Sequence, residues 1–163
     1  MLTKNGSIIV DSYSPSGVSL IGILKNFSGI DVIPSSFSYT SPKYLLCIAN
    51  DTSTSNYRLA KSASDVSSTS YCYISIGHRD GEASVDTYEP VFSQAFSFSI
   101  NTTNKYGIFI LTNTSSEAVD VNEIDCSIIG GSDAQTRVLC AIYPIGEITL
   151  EPGQSISFSF LHA

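Results

Sequence analysis

The stretch EITLEPGQSISFSF, residues 147–160, carries the clearest signal for the fold. Pro152-Gly153 is the signature of a type II turn, because proline presets φ and glycine accepts a positive φ. After the turn, serine alternates with isoleucine or phenylalanine, as in a strand with one polar and one apolar face. We therefore predict a hairpin that closes the chain. Phe158 and Phe160 should face the core of a β-sandwich, where a second sheet lies about 10 Å away.

The same period of two recurs along the chain in short apolar segments between turn residues, which is typical of an all-β fold. Residues 43–49 are apolar on both faces, so a central strand is expected there. A phase slip near Asn122-Glu123 predicts a β-bulge. Residues 57–64 suit one helical turn, and the absence of βαβ spacing excludes a parallel α/β fold. Besides the terminal hairpin, the predicted strands cover residues 7–13, 18–24, 43–49, 71–77, 84–88, 92–100, 106–113, 118–129 and 137–143.

These patterns predict an antiparallel β-sandwich that is jelly-roll-like by strand count, with an immunoglobulin-like sandwich as the alternative. The length of 163 residues suits one domain. We assign residues 43–163 to the sandwich. Residues 1–42, rich in serine, glycine and proline, form an irregular N-terminal arm or first strands with an anchoring role. If the arm orders only on a partner, limited proteolysis of the free protein should cut before about residue 40.

The composition is acidic and poor in charge, with a net charge of −7, a pI near 4.5 and 14% charged residues. An acidic chain with scattered Lys and Arg is not expected to bind nucleic acid or anionic membranes. No apolar stretch approaches the length of a transmembrane helix, and the N-terminal apolar run is too short for a signal peptide. Synthesis in a cytoplasm is therefore expected. The low charge hints at permanent assembly, with simple compositional bias as the equal alternative.

The four cysteines lie inside apolar strand patterns, so they are expected to be small buried side chains, and no zinc site is expected. They are Cys47, Cys72, Cys126 and Cys140.

The turn GHRDGE, residues 77–82, is a candidate for a cation site. His78, Asp80, Glu82 and Asp86 could meet a cation there, but a solvated turn is the prediction. The chain has no nucleophile elbow, catalytic triad or phosphate-binding loop. We therefore predict no enzyme, no cofactor, and no catalytic, cofactor-binding or metal-binding residue.

The chain has nine tyrosines and no tryptophan, so a sugar-stacking platform would have to use tyrosine. Tyrosine-rich strands more often form a core edge or an interface. A carbohydrate-binding or adhesin domain on a cell or particle surface is kept as the alternative function, since the tyrosines could supply its sugar site. The tyrosines considered are Tyr39, Tyr44, Tyr57, Tyr71, Tyr73 and Tyr88.

Three segments of the chain share a pattern with a known group of proteins. Residues 104–128, NKYGIFILTNTSSEAVDVNEIDCSI, join a strand ending in Asn-x-Ser/Thr to a Val-x-(Asn/Thr)-Glu-(Ile/Val) signature. Residues 136–160, TRVLCAIYPIGEITLEPGQSISFSF, add a strand that opens with a basic residue and a terminal Pro-Gly hairpin. Residues 50–62, NDTSTSNYRLAKS, form a polar loop that contains a Tyr-x-Leu. Together these segments resemble small virion proteins of tailed bacteriophages.

The resemblance implies a non-enzymatic structural component of a virion, such as a capsid decoration or auxiliary protein, a head fibre, or a tail or collar part. It implies a homo-oligomer, with a trimer favoured, that binds other virion proteins after synthesis in the host cytoplasm. A host glycan is a further partner if the protein lies at a phage tip. The chain departs from the pattern at Asp125, where the family has glycine, and at Ala49-Asn50-Asp51, which replaces a glycine-rich lead.

Overall fold

The chain is mostly β, with antiparallel sheets and one short helix among the residues that the structure describes, which confirms the all-β prediction. The computed structural model describes residues 1–14, 17–18, 20–32, 57–65, 72–93, 96–103, 108–129 and 137–159. The elements are α1 (Lys4–Asp11), β1 (Tyr13–Ser14), β2 (Gly17–Val18), β3 (Leu24–Lys25), β4 (Asp31–Val32), β5 (Tyr57–Ala60), β6 (Cys72–Gly77), β7 (Phe98–Thr103), β8 (Ile108–Asn113), β9 (Val119–Ile129), β10 (Arg137–Leu150) and β11 (Ser155–Ser159).

Strands β10, β9, β6 and β5 form the larger sheet in that order. The β10–β9 and β9–β6 pairs are antiparallel, whereas β5 runs parallel to β6. Along β9, Val121 and Ile124 both face the core although they are three residues apart. The register changes at this point, because residues 145–147 of β10 stand opposite Asn122. The irregularity predicted near Asn122-Glu123 is therefore present, and the extra residues lie in β10.

Strands β11, β8 and β7 form a second, three-stranded antiparallel sheet. The turn before β11 has the predicted form, with Gly153 at φ +80° and the Gln154 N–H donating to the Glu151 carbonyl at 2.9 Å. However, β11 pairs with β8 and not with β10, so the predicted terminal hairpin is wrong. The turn instead carries the chain from the larger sheet to the smaller one.

Asn113, at the end of β8, explains why the chain crosses between the sheets. Its buried side chain donates from Nδ2 to the carbonyls of Leu150, at 2.9 Å, and Glu117, at 2.8 Å. Its backbone N–H donates to the Gln154 carbonyl, and its carbonyl accepts from the Gly153 N–H. These bonds hold both flanks of the turn against β8. In a hairpin, by contrast, β10 and β11 would be hydrogen-bonded to each other.

One hydrophobic core contains side chains from both sheets and from the N-terminal segment. Phe158 stacks on Phe109 with ring centroids 5.4 Å apart, which confirms that this side of β11 faces the core. Ser155 and Ser157 are exposed on the other side, and Phe160 lies outside the described residues. The buried residues of this core are Ile9, Leu24, Val32, Ile74, Ile76, Phe96, Phe98, Phe109, Leu111, Val121, Ile124, Cys126, Ile128, Val138, Cys140, Ala141 and Leu150.

Two of the four cysteines can be placed in this core. Cys126 and Cys140 are fully buried, as expected of small apolar side chains. Only the backbone of Cys72 is described, and Cys47 lies outside the described residues.

The N-terminal segment forms the helix α1, so the strand predicted over residues 7–13 is wrong. Thr3 caps the helix, because its Oγ1 accepts a hydrogen bond from the Gly6 N–H at 3.1 Å. A Cβ at Gly6 would lie 2.1 Å from the Cys140 carbonyl oxygen, so glycine allows the helix to pack closely on β10. The short apolar run in this segment fits either period. The burial of Ile9 against the core decides in favour of the helix.

The first three residues run along the outer edge of β10. The Thr3 N–H donates to the Cys140 carbonyl at 3.0 Å, and the Ile142 N–H donates to the Met1 carbonyl at 2.9 Å. Main-chain pairing of this kind covers a sheet edge that would otherwise be open to another strand.

Several other predicted segments have different bounds or a different structure. The strand over 18–24 is replaced by two short pairs, β1 with β2 and β3 with β4. Within the predicted strand 84–88, the Thr87 N–H donates to the Ser84 carbonyl and closes a turn. Of the strand predicted over 92–100, the part from Phe98 onward lies in β7. In place of the helical turn over 57–64, β5 is followed by a 3₁₀ turn. Tertiary neighbours decide the pairing of such short segments.

The predicted strand over 43–49 and the domain boundary at residue 42 lie outside the described residues. Within the predicted arm, Ile9 and Leu24 are fully buried in the shared core. The division of the chain into an arm and a sandwich domain stays a prediction.

Candidate functional site

The turn singled out in the sequence is exposed. His78 Nδ1 lies 3.4 Å from Asp80 Oδ1, and its Nε2 lies 3.2 Å from Glu147 Oε1. Asp86 lies near Lys4 instead, with 3.9 Å between the carboxylate oxygen and Nζ. The described residues contain no group of three or more His, Cys, Asp or Glu that could hold a metal ion.

A buried polar cluster lies directly behind this turn, on one face of β9. The period of two turns Ile124 and Cys126 towards the core and places Glu123 and Asp125 together on the opposite face. Glu123 is 4% exposed and Asp125 is fully buried. Two acids in a buried strand require partners, because an unpaired buried charge is costly.

Arg79 is the partner of Glu123. Its Nε donates to Glu123 Oε1 and Oε2 at 2.8 and 3.0 Å, and its Nη2 lies 2.7 Å from Oε1. The same Nη2 donates to the Glu89 carbonyl at 2.9 Å. The Arg79 backbone is fixed as well, since its N–H donates to Asn122 Oδ1 and its carbonyl accepts from Asn122 Nδ2. Burial lowers the pKa of Arg79, but its hydrogen bond to Glu123 and the surrounding acids outweigh this effect and raise it.

Asp125 lies deeper and has fewer donors. Its Oδ2 accepts from the Val91 N–H at 2.7 Å and, weakly, from Arg79 Nη2 at 3.4 Å. Its Oδ1 has no donor within the described part of the chain. The buried hydroxyl groups of Ser75 and Ser127, on the same face of the sheet, also have no hydrogen-bond partner there. The surroundings of this carboxyl are therefore poorly solvating.

The surroundings of Asp125 favour the protonated form of its carboxyl group. Burial, followed by the hydrogen bond and charge of Glu123, raises its pKa to about 9, against the opposing effects of the Val91 N–H and Arg79. The hydrogen bond between the Asp125 and Glu123 carboxyl groups, which contributes to the raised pKa, can form only while one of the two acids keeps its proton. Two acids that share one proton carry a single negative charge, which the guanidinium of Arg79 balances.

The cluster fastens the segment 78–93, which follows β6, to the face of the larger sheet. Arg79 and Val91 attach the two ends of the segment to β9, and Ser93 Oγ donates to the Ile76 carbonyl beside them. A cavity of about 450 Å³ opens in front of Arg79 and Glu123 and is lined by Asn122, Gly81, Glu82, Ala83, Met1, Pro144, Gly146 and Glu147.

A second groove, of about 410 Å³, runs between α1 and the β3–β4 pair. Tyr88 and Ile23 line it beside the polar groups of Asn5, Lys25 and Asp31. The Lys25 Nζ lies 2.7 Å from Asp31 Oδ1 and 6.0 Å from the centre of the Tyr88 ring.

Of the tyrosines considered in the sequence, only two have described side chains. Tyr73 is fully buried, beside Ala60, so it cannot form a sugar platform, whereas Tyr88 is partly exposed in the second groove. Only the backbone of Tyr57 is described, and Tyr39, Tyr44 and Tyr71 lie outside the described residues.

Sequence reasoning missed the buried cluster. The tripeptide His78-Arg79-Asp80 drew attention to its histidine, and Asp125 stood out only as a departure from a family pattern. The available signal was the spacing of Glu123 and Asp125, two acids on one face of an otherwise apolar strand.

Comparisons of the chain with protein-family models, curated proteins and solved structures found no match. Within the described residues, no helix is both long and apolar enough to cross a membrane.

Proposed function

We propose that this chain is a non-enzymatic structural component of a bacteriophage virion that acts through protein–protein assembly. Its place would be that of a capsid decoration or auxiliary protein, a head fibre, or a tail or collar part. The proposed fold is a β-sandwich, jelly-roll-like or immunoglobulin-like, and a core shared by the two sheets supports it. The resemblance of residues 104–128 and 136–160 to small virion proteins supports the proposed role.

The observation that carries the proposal is the uncharged three-stranded sheet. Strands β7, β8 and β11 contain no Asp, Glu, Lys or Arg, although the chain as a whole has a net charge of −7. Ser155 and Ser157 are exposed on β11. Hydroxyl-bearing surface can be buried against another protein at a lower desolvation cost than charged surface, so this sheet suits permanent assembly.

The buried cluster is consistent with a scaffold. Arg79, Glu123 and Asp125 bind one another and the backbone of segment 78–93, so their side chains hold the protein together. A rigid attachment of this kind preserves the shape that an assembly contact needs.

Particle composition tests the proposal. Virions are purified from the source of the chain, and its peptides are quantified against those of the major capsid protein. Hundreds of copies per particle indicate a shell decoration, and a few to a few dozen indicate a fibre, collar or tail part. Absence from the particles contradicts the proposal.

A carbohydrate-binding or adhesin domain is the second candidate, and the groove beside Tyr88 is the observation that favours it. An aromatic ring flanked by a carboxylate, an amide and an ammonium group is a suitable lining for a sugar. Saturable binding on a glycan array, lost in Tyr88→Ala and kept in Tyr88→Phe, would establish this function. No binding by the wild-type protein would exclude it for the glycans tested.

A further inference from the structure

The outer side of β11 is the feature that we take further, and the inference rests on the proposed role in assembly. β11 lies at the end of its sheet and pairs on one side with β8, from Ser155 opposite Thr112 to Ser159 opposite Ile108. No strand of the described chain pairs with its other side. Such an edge presents backbone N–H and C=O groups that can pair with another chain.

The edges at β10 and β11 differ in how they are protected. Part of the edge of β10 is covered by main-chain bonds from Met1 and Thr3. Ser155–Ser159 contains neither a charge nor a proline, two of the features that usually protect an edge. Its pairing with β8 also runs without a register shift, so the edge is regular along its length.

The sequence of β11 is complementary to itself. If two copies run antiparallel about a two-fold axis at Ser157, Ser155 stands opposite Ser159 of the second copy. Ile156 then stands opposite Phe158 of the second copy, so each face of the joined sheet matches serine with serine and apolar with apolar. Both Ile156 and Phe158 pack against the core, so the apolar face would continue from one copy to the other.

The distribution of charge also favours contact between two copies at β11. The chain has 15 acidic and 8 basic residues, so most surfaces of two copies repel each other. β11 carries no charge. A two-fold axis is the commonest symmetry between identical subunits, and it relates two strands that pair antiparallel. We propose that β11 binds β11 of a second copy of this chain, antiparallel about Ser157, to form a continuous six-stranded sheet.

The test is a charge exchange at Ser157, whose side chain is exposed and at the centre of the pairing. Ser157→Lys and Ser157→Glu each place like charges opposite each other across the axis. The wild-type protein should have an even number of copies by light scattering, and each variant should show half that mass. Mixing the two variants in equal amounts should restore the mass, because Lys then faces Glu.

Matched controls make the result decisive. Ser116→Lys places the same charge at an exposed turn between β8 and β9 and should leave the mass unchanged. If Ser157→Lys does not fold, hydrogen exchange of the wild-type protein replaces it, and the β11 amides that do not bond to β8 should be protected in the assembled protein. A wild-type monomer, a stable trimer, an unchanged mass in both variants, or fast exchange of those β11 amides overturns the pairing. None of these results bears on particle composition, which decides the proposed function separately.

Discussion

Replacing Asp125 by asparagine should remove much of the pH dependence of stability in this protein. Asparagine has nearly the same shape, its carbonyl can accept from the Val91 N–H, and its amide can donate to Glu123 as the neutral acid does. The variant therefore reproduces the protonated state of the wild type. It differs in one respect, since it cannot lose a proton in the unfolded chain.

The sign follows from proton binding. Between the ordinary pKa of 3.8 and the folded value of about 9, the Asp125 carboxyl is neutral when folded and ionised when unfolded. The folded state then holds one more proton, so raising the pH favours unfolding by about 1.4 kcal/mol per pH unit. From pH 5 to pH 8 this contribution amounts to about 4 kcal/mol. Over the same interval, the free energy of unfolding of Asp125→Asn should therefore rise by that amount relative to that of the wild type.

Urea unfolding at several pH values between 5 and 8 measures the effect directly. Asp120→Asn is the matched control, because Asp120 is an exposed carboxylate on the same strand that accepts from Thr149 Oγ1. The control should follow the wild-type curve. If the stability curves of the wild type and Asp125→Asn run parallel, Asp125 is ionised in the folded protein and the reasoning is wrong.

Three further substitutions test the contacts that fix the fold, each by urea unfolding at neutral pH. Arg79→Met should lower the free energy of unfolding by about 3 kcal/mol, because it leaves Glu123 buried without its cation. Adding Glu123→Gln should recover part of that loss. If Arg79→Met is as stable as the wild type, the pair does not stabilise the fold. Asn113→Ala should cost about 1–3 kcal/mol through lost bonds to backbone carbonyls, whereas Asn113→Asp tests the role of the amide donor and should not restore stability. Gly6→Ala should cost about 1–3 kcal/mol, since the added methyl group meets the Cys140 carbonyl, and a neutral result would show that α1 can move away from β10.

Short apolar segments bounded by turn residues made the strands of the larger sheet predictable. The sequence predicts strands over residues 71–77, 118–129 and 137–143, and β6, β9 and β10 lie there, but β10 continues through Pro144 to Leu150. The burial of side chains that alternate along a strand depends on local spacing, which the sequence displays.

Partner choice was not predictable in the same way. Pro152-Gly153 correctly announced a turn, but the side chain of Asn113, some forty positions earlier, decides which strand β11 pairs with. The three apolar residues 8–10 fit a strand or a helix, and only packing against β10 selects the helix. The buried cluster likewise depends on Arg79, in the segment that follows β6, lying beside β9, and no local pattern of the sequence encodes that contact.

The position of residues 1–3 along β10 has a consequence for synthesis. Thr3 Oγ1 donates to the Leu139 carbonyl, 136 residues later in the chain. At about 5–20 residues per second, a ribosome takes on the order of ten seconds to make that partner. Until then, the side of α1 that packs on β10 has nothing to cover it. Residues 1–3 can therefore be locked into the fold only after β10 has been made, and in that interval a chaperone would have most to protect.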